Sequence, residues 1–123
     1  MEIVMRLEAT RDHTLKYFDL TDDQLARSYG LGKWPVRFIL HHLADAETVL
    51  FDRIRRIISE PRQVLWAFDQ DSWARSLDYS KMPLDLSRRI YDSVRAASFI
   101  RLVCITRAVA TLNSSIVKQA FGR

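Results

Sequence analysis

Cysteine is nearly absent from this chain. Cys104 stands alone among 123 residues, and one thiol builds neither a disulfide framework nor a multi-cysteine zinc site. Its setting, Leu102-Val103-Cys104-Ile105, reads as an unreactive core thiol. Long apolar runs are missing as well: that segment falls far short of the ~20 residues a membrane-spanning helix needs. Met1-Glu2-Ile3-Val4-Met5-Arg6-Leu7-Glu8 carries acids and no apolar run ahead of a small-residue cleavage site, so it does not read as a signal peptide, and a cytoplasmic protein is expected. Glycine and proline number three each, and they fall between apolar stripes rather than inside them, which excludes a turn-rich β architecture and predicts a nearly all-α chain. Acids are scarce late in the sequence. From Leu86 onward seven basic residues face Asp92 alone, so that third carries +6 of a net +4 and the remainder −2. A basic face can attract nucleic acid or an anionic substrate. The arginines nevertheless lie along one helix with no helix-turn-helix spacing and no stacking aromatics, so nucleic-acid binding is not expected.

What is present is enough for one hydrophobic core. The length and a 48% hydrophobic content suit a single domain over residues 1–123. Its centre is a long helix. Gly30 and Gly32 break what precedes it, Pro35 suits the first helical position, and Ser59-Glu60-Pro61 ends it, because the residue before proline is pushed out of the helical region. Val36, Ile39, Leu40, Leu43, Ala46, Leu50, Ile54, Ile57 and Ile58 recur at helical steps and predict the buried stripe. On that wheel His42 lies on the flank of the stripe, beside Ile39, Ala46 and Val49. His41 shares the opposite, wet face with Arg37, Asp45 and Asp52. The inward candidate for a metal or substrate is therefore His42.

Around this centre the periodicity predicts a first helix from about Glu2 to Phe18, with Ile3, Leu7, Thr10, Thr14 and Phe18 inward. Thr21-Asp22-Asp23-Gln24 has the form of a capping box opening a short helix to about Tyr29. Residues 61–82 form a long connection whose Trp66 and Trp73 should pack over the bundle. Asp85 can cap a third long helix that turns Leu86, Ile90, Val94, Ala97, Ile100, Cys104 and Ala108 inward. The segment Leu112-Asn113-Ser114-Ser115 through Phe121-Gly122 aligns without a gap on Leu20-Thr21-Asp22-Asp23 through Tyr29-Gly30, which predicts a second capped short helix.

His41-His42-Leu43-Ala44-Asp45-Ala46-Glu47 after Trp34-Pro35-Val36-Arg37, with Phe68-Asp69-Gln70-Asp71-Ser72-Trp73 further on, resembles the DinB/YfiT-like superfamily of small bacterial four-helix bundles. The resemblance covers essentially the whole chain. It implies an all-α, up-and-down bundle of three long helices and two short ones, the fourth bundle helix missing. Members of that family are described as metal-dependent hydrolases, and some are thiol-dependent S-transferases. They typically hold one divalent metal, zinc or nickel among others, through three histidines. The first of these directly precedes Leu-Ala-Asp and carries over onto His42. The other two arrive as H-x-x-x-H on a fourth helix, and this sequence has no such pair.

A catalytic zinc-type site needs about three protein ligands, so the resemblance implies an incomplete site, weak in metal, with a small molecule or a thiol as substrate. His42 is either a ligand or an ordinary bundle histidine hydrogen-bonded to a neighbouring helix. His13 is expected most of a bundle length away, and His41 points ~100° from His42, so neither should join it. Asp45 and Glu47 are candidates for orienting a ligand or for a solvated helix face. Trp66, Phe68 and Trp73 are candidates for packing or for a ligand platform. A missing fourth helix would leave an apolar groove, and the cover expected for it is a second copy in a homodimer. The alternative function is thus a non-catalytic, self-associating module.

Overall fold

The computed structural model describes residues 2–60, 62 and 64–121, with side chains through Thr111. Among these, five α-helices and one 3₁₀ turn account for the architecture: α1 (Glu2–Leu15), the 3₁₀ turn Lys16–Asp19, α2 (Asp22–Leu25), α3 (Val36–Ser59), α4 (Gln70–Ser76) and α5 (Leu84–Phe121). No β-strand forms among the described residues, only an isolated bridge between Ser28 and Pro35. No described helix is long and apolar enough to cross a membrane.

Local chemistry explains the boundaries. The capping box is present: the Thr21 hydroxyl accepts from the Gln24 N–H at 3.3 Å, and the Gln24 side chain accepts from the Thr21 N–H at 3.0 Å. The helix it opens is shorter than expected and stops at Leu25, because the Val36 N–H donates to the Arg27 carbonyl at 2.9 Å and pulls the chain into the next turn. Gly32 sits there with φ +71°, a left-handed position that a side chain would strain. Pro35 is extended rather than helical (φ −68°, ψ 161°) and directly precedes α3. That helix ends at Ser59, where the sequence places it.

The directions of the helices follow from who touches whom. Going along α3, His41 meets Ser87, Glu47 meets Arg95 and Phe51 meets Arg101, so α3 and α5 run in the same direction. Arg11 pairs with Asp92 while Arg95 reaches back to Leu7, so α1 runs opposite to α5. Two parallel neighbours need a connection that returns along the bundle, and that is what the described residues between α3 and α5 do. This connection is not a plain loop. Asp69 accepts from the Asp71 and Ser72 N–H groups, both at 3.1 Å, and starts α4. Trp73 is half-buried, whereas Trp66 is 83% exposed and does not cover the bundle.

The core gathers Phe18, Leu25, Leu40, Ala44 and Tyr91, with Leu15, Leu20, Val36, Leu43 and Leu84 around them. Its position corrects the predicted stripes. On α1 the buried residue is Val4, and Ile3 and Thr10 are exposed. On α3 the buried side chains are Leu40, His41, Ala44 and Glu47, while Leu50, Ile57 and Ile58 are exposed. The true inner face is thus rotated by roughly a quarter turn from the most apolar one. On α5 the inward residues are Ser87, Tyr91 and Ser98, and Leu86, Ile90, Ile100, Cys104 and Ala108 are exposed. The thiol predicted to be a core group is therefore at the surface. The backbone of α5 is helical through Leu112 and Asn113 to Phe121, so the tail does not repeat the capped short helix; Gly122 and the side chains after Thr111 lie outside the described residues.

The reason for the rotation is polar matching between α3 and α5. His41 Nδ1 is hydrogen-bonded to Ser87 Oγ at 2.7 Å, and the Glu47 carboxylate forms an ion pair with Arg95. Arg95 also donates to the Leu7 carbonyl at 3.2 Å and to the Thr10 hydroxyl at 3.0 Å. One guanidinium therefore ties α1, α3 and α5 together. Buried polar groups are tolerated when they find such partners.

Candidate functional site

The two adjacent histidines have opposite environments, and not in the order the wheel predicts. His41, expected in solvent, is 1% exposed. Its ring lies 5.2 Å from that of Tyr79. Burial holds the imidazole below its ordinary pKa, the nearby Arg37 guanidinium adds to this, and Asp45 opposes it. His41 is therefore neutral at physiological pH. A serine–histidine pair at 2.7 Å has the spacing of a nucleophile and its base, but Ser87 is 6% exposed. No substrate reaches a pair sealed in this way, and its role is structural.

Tyr79 closes the same end of the bundle. It is 1% exposed, and its hydroxyl donates to the Asp45 carboxylate. Burial first, then this hydrogen bond and the Asp45 charge, push the phenol well above its ordinary pKa, so it stays a donor. Arg37 donates to the Met82 carbonyl at 2.6 Å. Asp45 is thereby committed to Tyr79 and Glu47 to Arg95; the reading of Glu47 as a solvated acid does not hold, since it is buried.

His42 is half-buried on the other side of α3. Its ring meets Trp34 edge-on at 5.5 Å and lies tilted against Phe68 at 6.1 Å, and Phe68 in turn packs on Trp73 at 4.7 Å. Trp34 comes from the turn before α3, and Phe68 and Trp73 come from the returning connection. Asp69 caps α4 between Phe68 and Trp73; hydrogen bonds from the Ser72 backbone and hydroxyl hold that carboxyl below the usual carboxylate range. Nδ1 of His42 is buried with no hydrogen-bond partner, while Nε2 is not sealed off. The predicted alternative, a bundle histidine bonded to a neighbouring helix, is thus not what His42 does.

The remaining candidates do not join it. α1 runs antiparallel, so the end bearing His13 packs beside the start of α3, contrary to the expected separation. His13 is nevertheless exposed and turned against Tyr17. Trp66 is separate from the aromatic group. Among the described residues no three His, Cys, Asp or Glu side chains come together as a metal site. Sequence reasoning missed Tyr79, Ser87 and Arg95. The signal available for them was the set of small residues Ala44, Ser87 and Ser98, which mark where two helices approach closely.

Comparison with known proteins fits this arrangement. The sequence pattern of the DinB superfamily matches residues 6–114. A protein of Oceanobacillus iheyensis named "Putative metal-dependent hydrolase" is 34% identical over 76 residues, 62% of this chain and 44% of the relative. One of the same name from Geobacillus kaustophilus is 32% identical over 89 residues, 72% of this chain and 50% of the relative. The match thus spans about half the length of these relatives. Among solved structures, the fold is similar to that of YfiT from Bacillus subtilis, a "probable metal-dependent hydrolase with an unusual four-helix bundle topology", with TM-score 0.72 and 22% identity over 84% of this chain and 60% of that one.

Proposed function

This chain belongs to the DinB superfamily, and on that premise we propose that its share of a metal-dependent hydrolase or thiol-dependent S-transferase site is a single imidazole, His42. Its metal would be zinc or nickel, and its substrate a small molecule or a thiol. The observation that carries this reading is the state of the His42 ring: held between Trp34 and Phe68, with Nε2 open and no protein hydrogen bond to either nitrogen. Trp34 and Phe68 fix the ring plane and keep water from Nδ1. The donor set, however, does not fit a complete site, since catalytic zinc-type centres take about three protein ligands. The further donors would come from a second subunit or from polypeptide outside the described residues, and no catalytic step is assigned to this chain alone.

The test is titration of zinc and nickel into the purified chain and into His42→Ala, with free metal read by a competing chromogenic chelator. Weak binding that His42→Ala abolishes, without hydrolase or thiol-transferase activity, is the expected result. Binding unchanged by the substitution would remove His42 from the site. Tight stoichiometric binding would overturn the claim that the site is incomplete.

A second reading, self-association as a homodimer, rests on the apolar side chains left uncovered on α1 and α3. Ile3, Leu50 and Ile57 are exposed by 64%, 40% and 54%. A second copy presenting the same flank would cover them by two-fold pairing.

A further inference from the structure

Roughly 20 Å along α3 from His42, the C-terminal half of that helix and the middle of α5 enclose a cleft of about 440 Å³. Its walls are the apolar groups of Ile58, Ala97, Ile100, Cys104 and Ile105, and its rim carries Arg55 and Arg101. The two guanidiniums share one aromatic ring: Arg55 Cζ lies 4.3 Å and Arg101 Cζ 5.2 Å from the centroid of Phe51. Contact with a common ring keeps the two like charges within about 10 Å of each other, and their neutralisation by the protein is incomplete. Among the described residues Asp52 is the one carboxylate within ion-pair reach of Arg55, at 3.6 Å, and it sits closer to Arg56, at 2.8 Å. Among the described residues Arg101 has no carboxylate partner. The rim therefore holds an excess of positive charge, with donors turned to solvent beside an apolar trough.

Small-molecule sites have this make-up: a concave apolar wall of a few hundred Å³ with a few polar groups that orient the ligand. The charge selects the polar end, because guanidinium forks match carboxylates bidentately. The trough selects the rest. From Arg101 to Ile105 α5 advances roughly 6 Å, the reach of about five carbons beyond a carboxylate held at Arg101. We propose that this cleft binds a short-chain aliphatic carboxylate of about six carbons, its head on Arg55 and Arg101 and its tail along Ile58, Ile100 and Ile105. The site is independent of any metal at His42.

Cys104 lines the cleft, is exposed and is the chain's sole cysteine, so its modification by a thiol reagent reports on this place alone. The experiment measures the rate of Cys104 labelling with sodium hexanoate, alongside calorimetric titration. Hexan-1-ol and acetate serve as the uncharged and tail-less controls, and Arg101→Gln as the variant, its helicity checked by circular dichroism. Saturable protection by hexanoate, absent with acetate and much weaker with hexan-1-ol, is expected. Arg101→Gln should raise the dissociation constant about tenfold, the loss of one charge-assisted contact. Equal protection by the alcohol, or no effect of Arg101→Gln, would reduce the cleft to non-specific apolar surface. Labelling already blocked without ligand, with a dimer in light scattering, would make a second copy the occupant and overturn the proposal.

Discussion

Glu47→Ala should be among the most damaging single substitutions in this protein. The Arg95 side chain is 11% exposed and that of Glu47 7%, so truncating the acid leaves a guanidinium inside the bundle with no opposite charge. Arg95 would keep the Leu7 carbonyl and the Thr10 hydroxyl as acceptors, which satisfies hydrogens but not charge. Removing one partner of a buried pair costs about 3–5 kcal/mol. Glu47 Oε2 and Arg95 Nε have no hydrogen-bond partner in the folded chain, so the pair is imperfectly satisfied and the lower part of that range is expected. Against a domain stability of about 5–15 kcal/mol this is a large share. It corresponds to a fall in melting temperature of roughly 10–15 °C for a chain of this size. Urea and thermal unfolding followed by circular dichroism would measure it in Glu47→Ala, in Arg95→Met and in the double variant Glu47→Leu/Arg95→Met. The double variant, with apolar groups on both sides, should lose less than either single variant. A loss below about 1 kcal/mol for Glu47→Ala would place the pair in the class of surface ion pairs and refute the argument.

Further outcomes follow from the same end of the bundle and from its flanks. Because the folded-state pKa of His41 is depressed, its contribution to stability is complete above the unfolded value near 6.5 and is lost as pH falls below it. Unfolding midpoints should drop on acidification, and His41→Asn should flatten that dependence; an unaltered pH profile would show that His41 does not carry it. Tyr79→Phe removes the donor to Asp45 and should cost about 1–3 kcal/mol in urea unfolding, with a neutral effect arguing that Asp45 finds water instead. Light scattering at micromolar concentration should give twice the 14.4 kDa chain mass, and Leu50→Glu should return it to the monomer mass; a monomer from the start would dismiss the homodimer.

Elements whose signals are local were legible in the sequence. The Thr21/Gln24 capping box and the end of α3 at Ser59 depend on neighbours a few residues away, and the all-α class follows from how glycine and proline are spaced. The orientation of α3 was not legible. Apolar residues occupy a wide arc of that helix, and the wheel chose the most apolar part of it as the inside. What decides the matter is on another helix, Ser87 and Arg95, some 46 and 48 residues away from their partners. A histidine and a glutamate on one helix look solvated until the complementary groups are known. With the inner face rotated towards His41, His42 lies on the far side of α3 rather than on the flank of the buried stripe, and its setting among Trp34, Phe68 and Trp73 depends on how the connection between α3 and α5 runs. The short α4 escaped notice for a similar reason, since seven residues carry too little periodicity to stand out.

The polar seam between α3 and α5 also limits how the two helices can be aligned along their axes. Parallel helices joined by apolar contacts alone could slip by one turn, about 5.4 Å, and bury nearly the same area. Here a slip of four residues would bring Tyr91 or Phe99 opposite Glu47 in place of Arg95, and Pro83 or Tyr91 opposite His41 in place of Ser87. Each misalignment strands a carboxylate, a guanidinium and an imidazole nitrogen in apolar surroundings at once. The seam therefore acts as a vernier: it adds less to stability than apolar side chains of equal size would, but it leaves a single alignment at which Ser87 meets His41 and Arg95 meets Glu47. Through that alignment it also fixes where Pro83 and the returning connection end, and hence where Tyr79 meets His41.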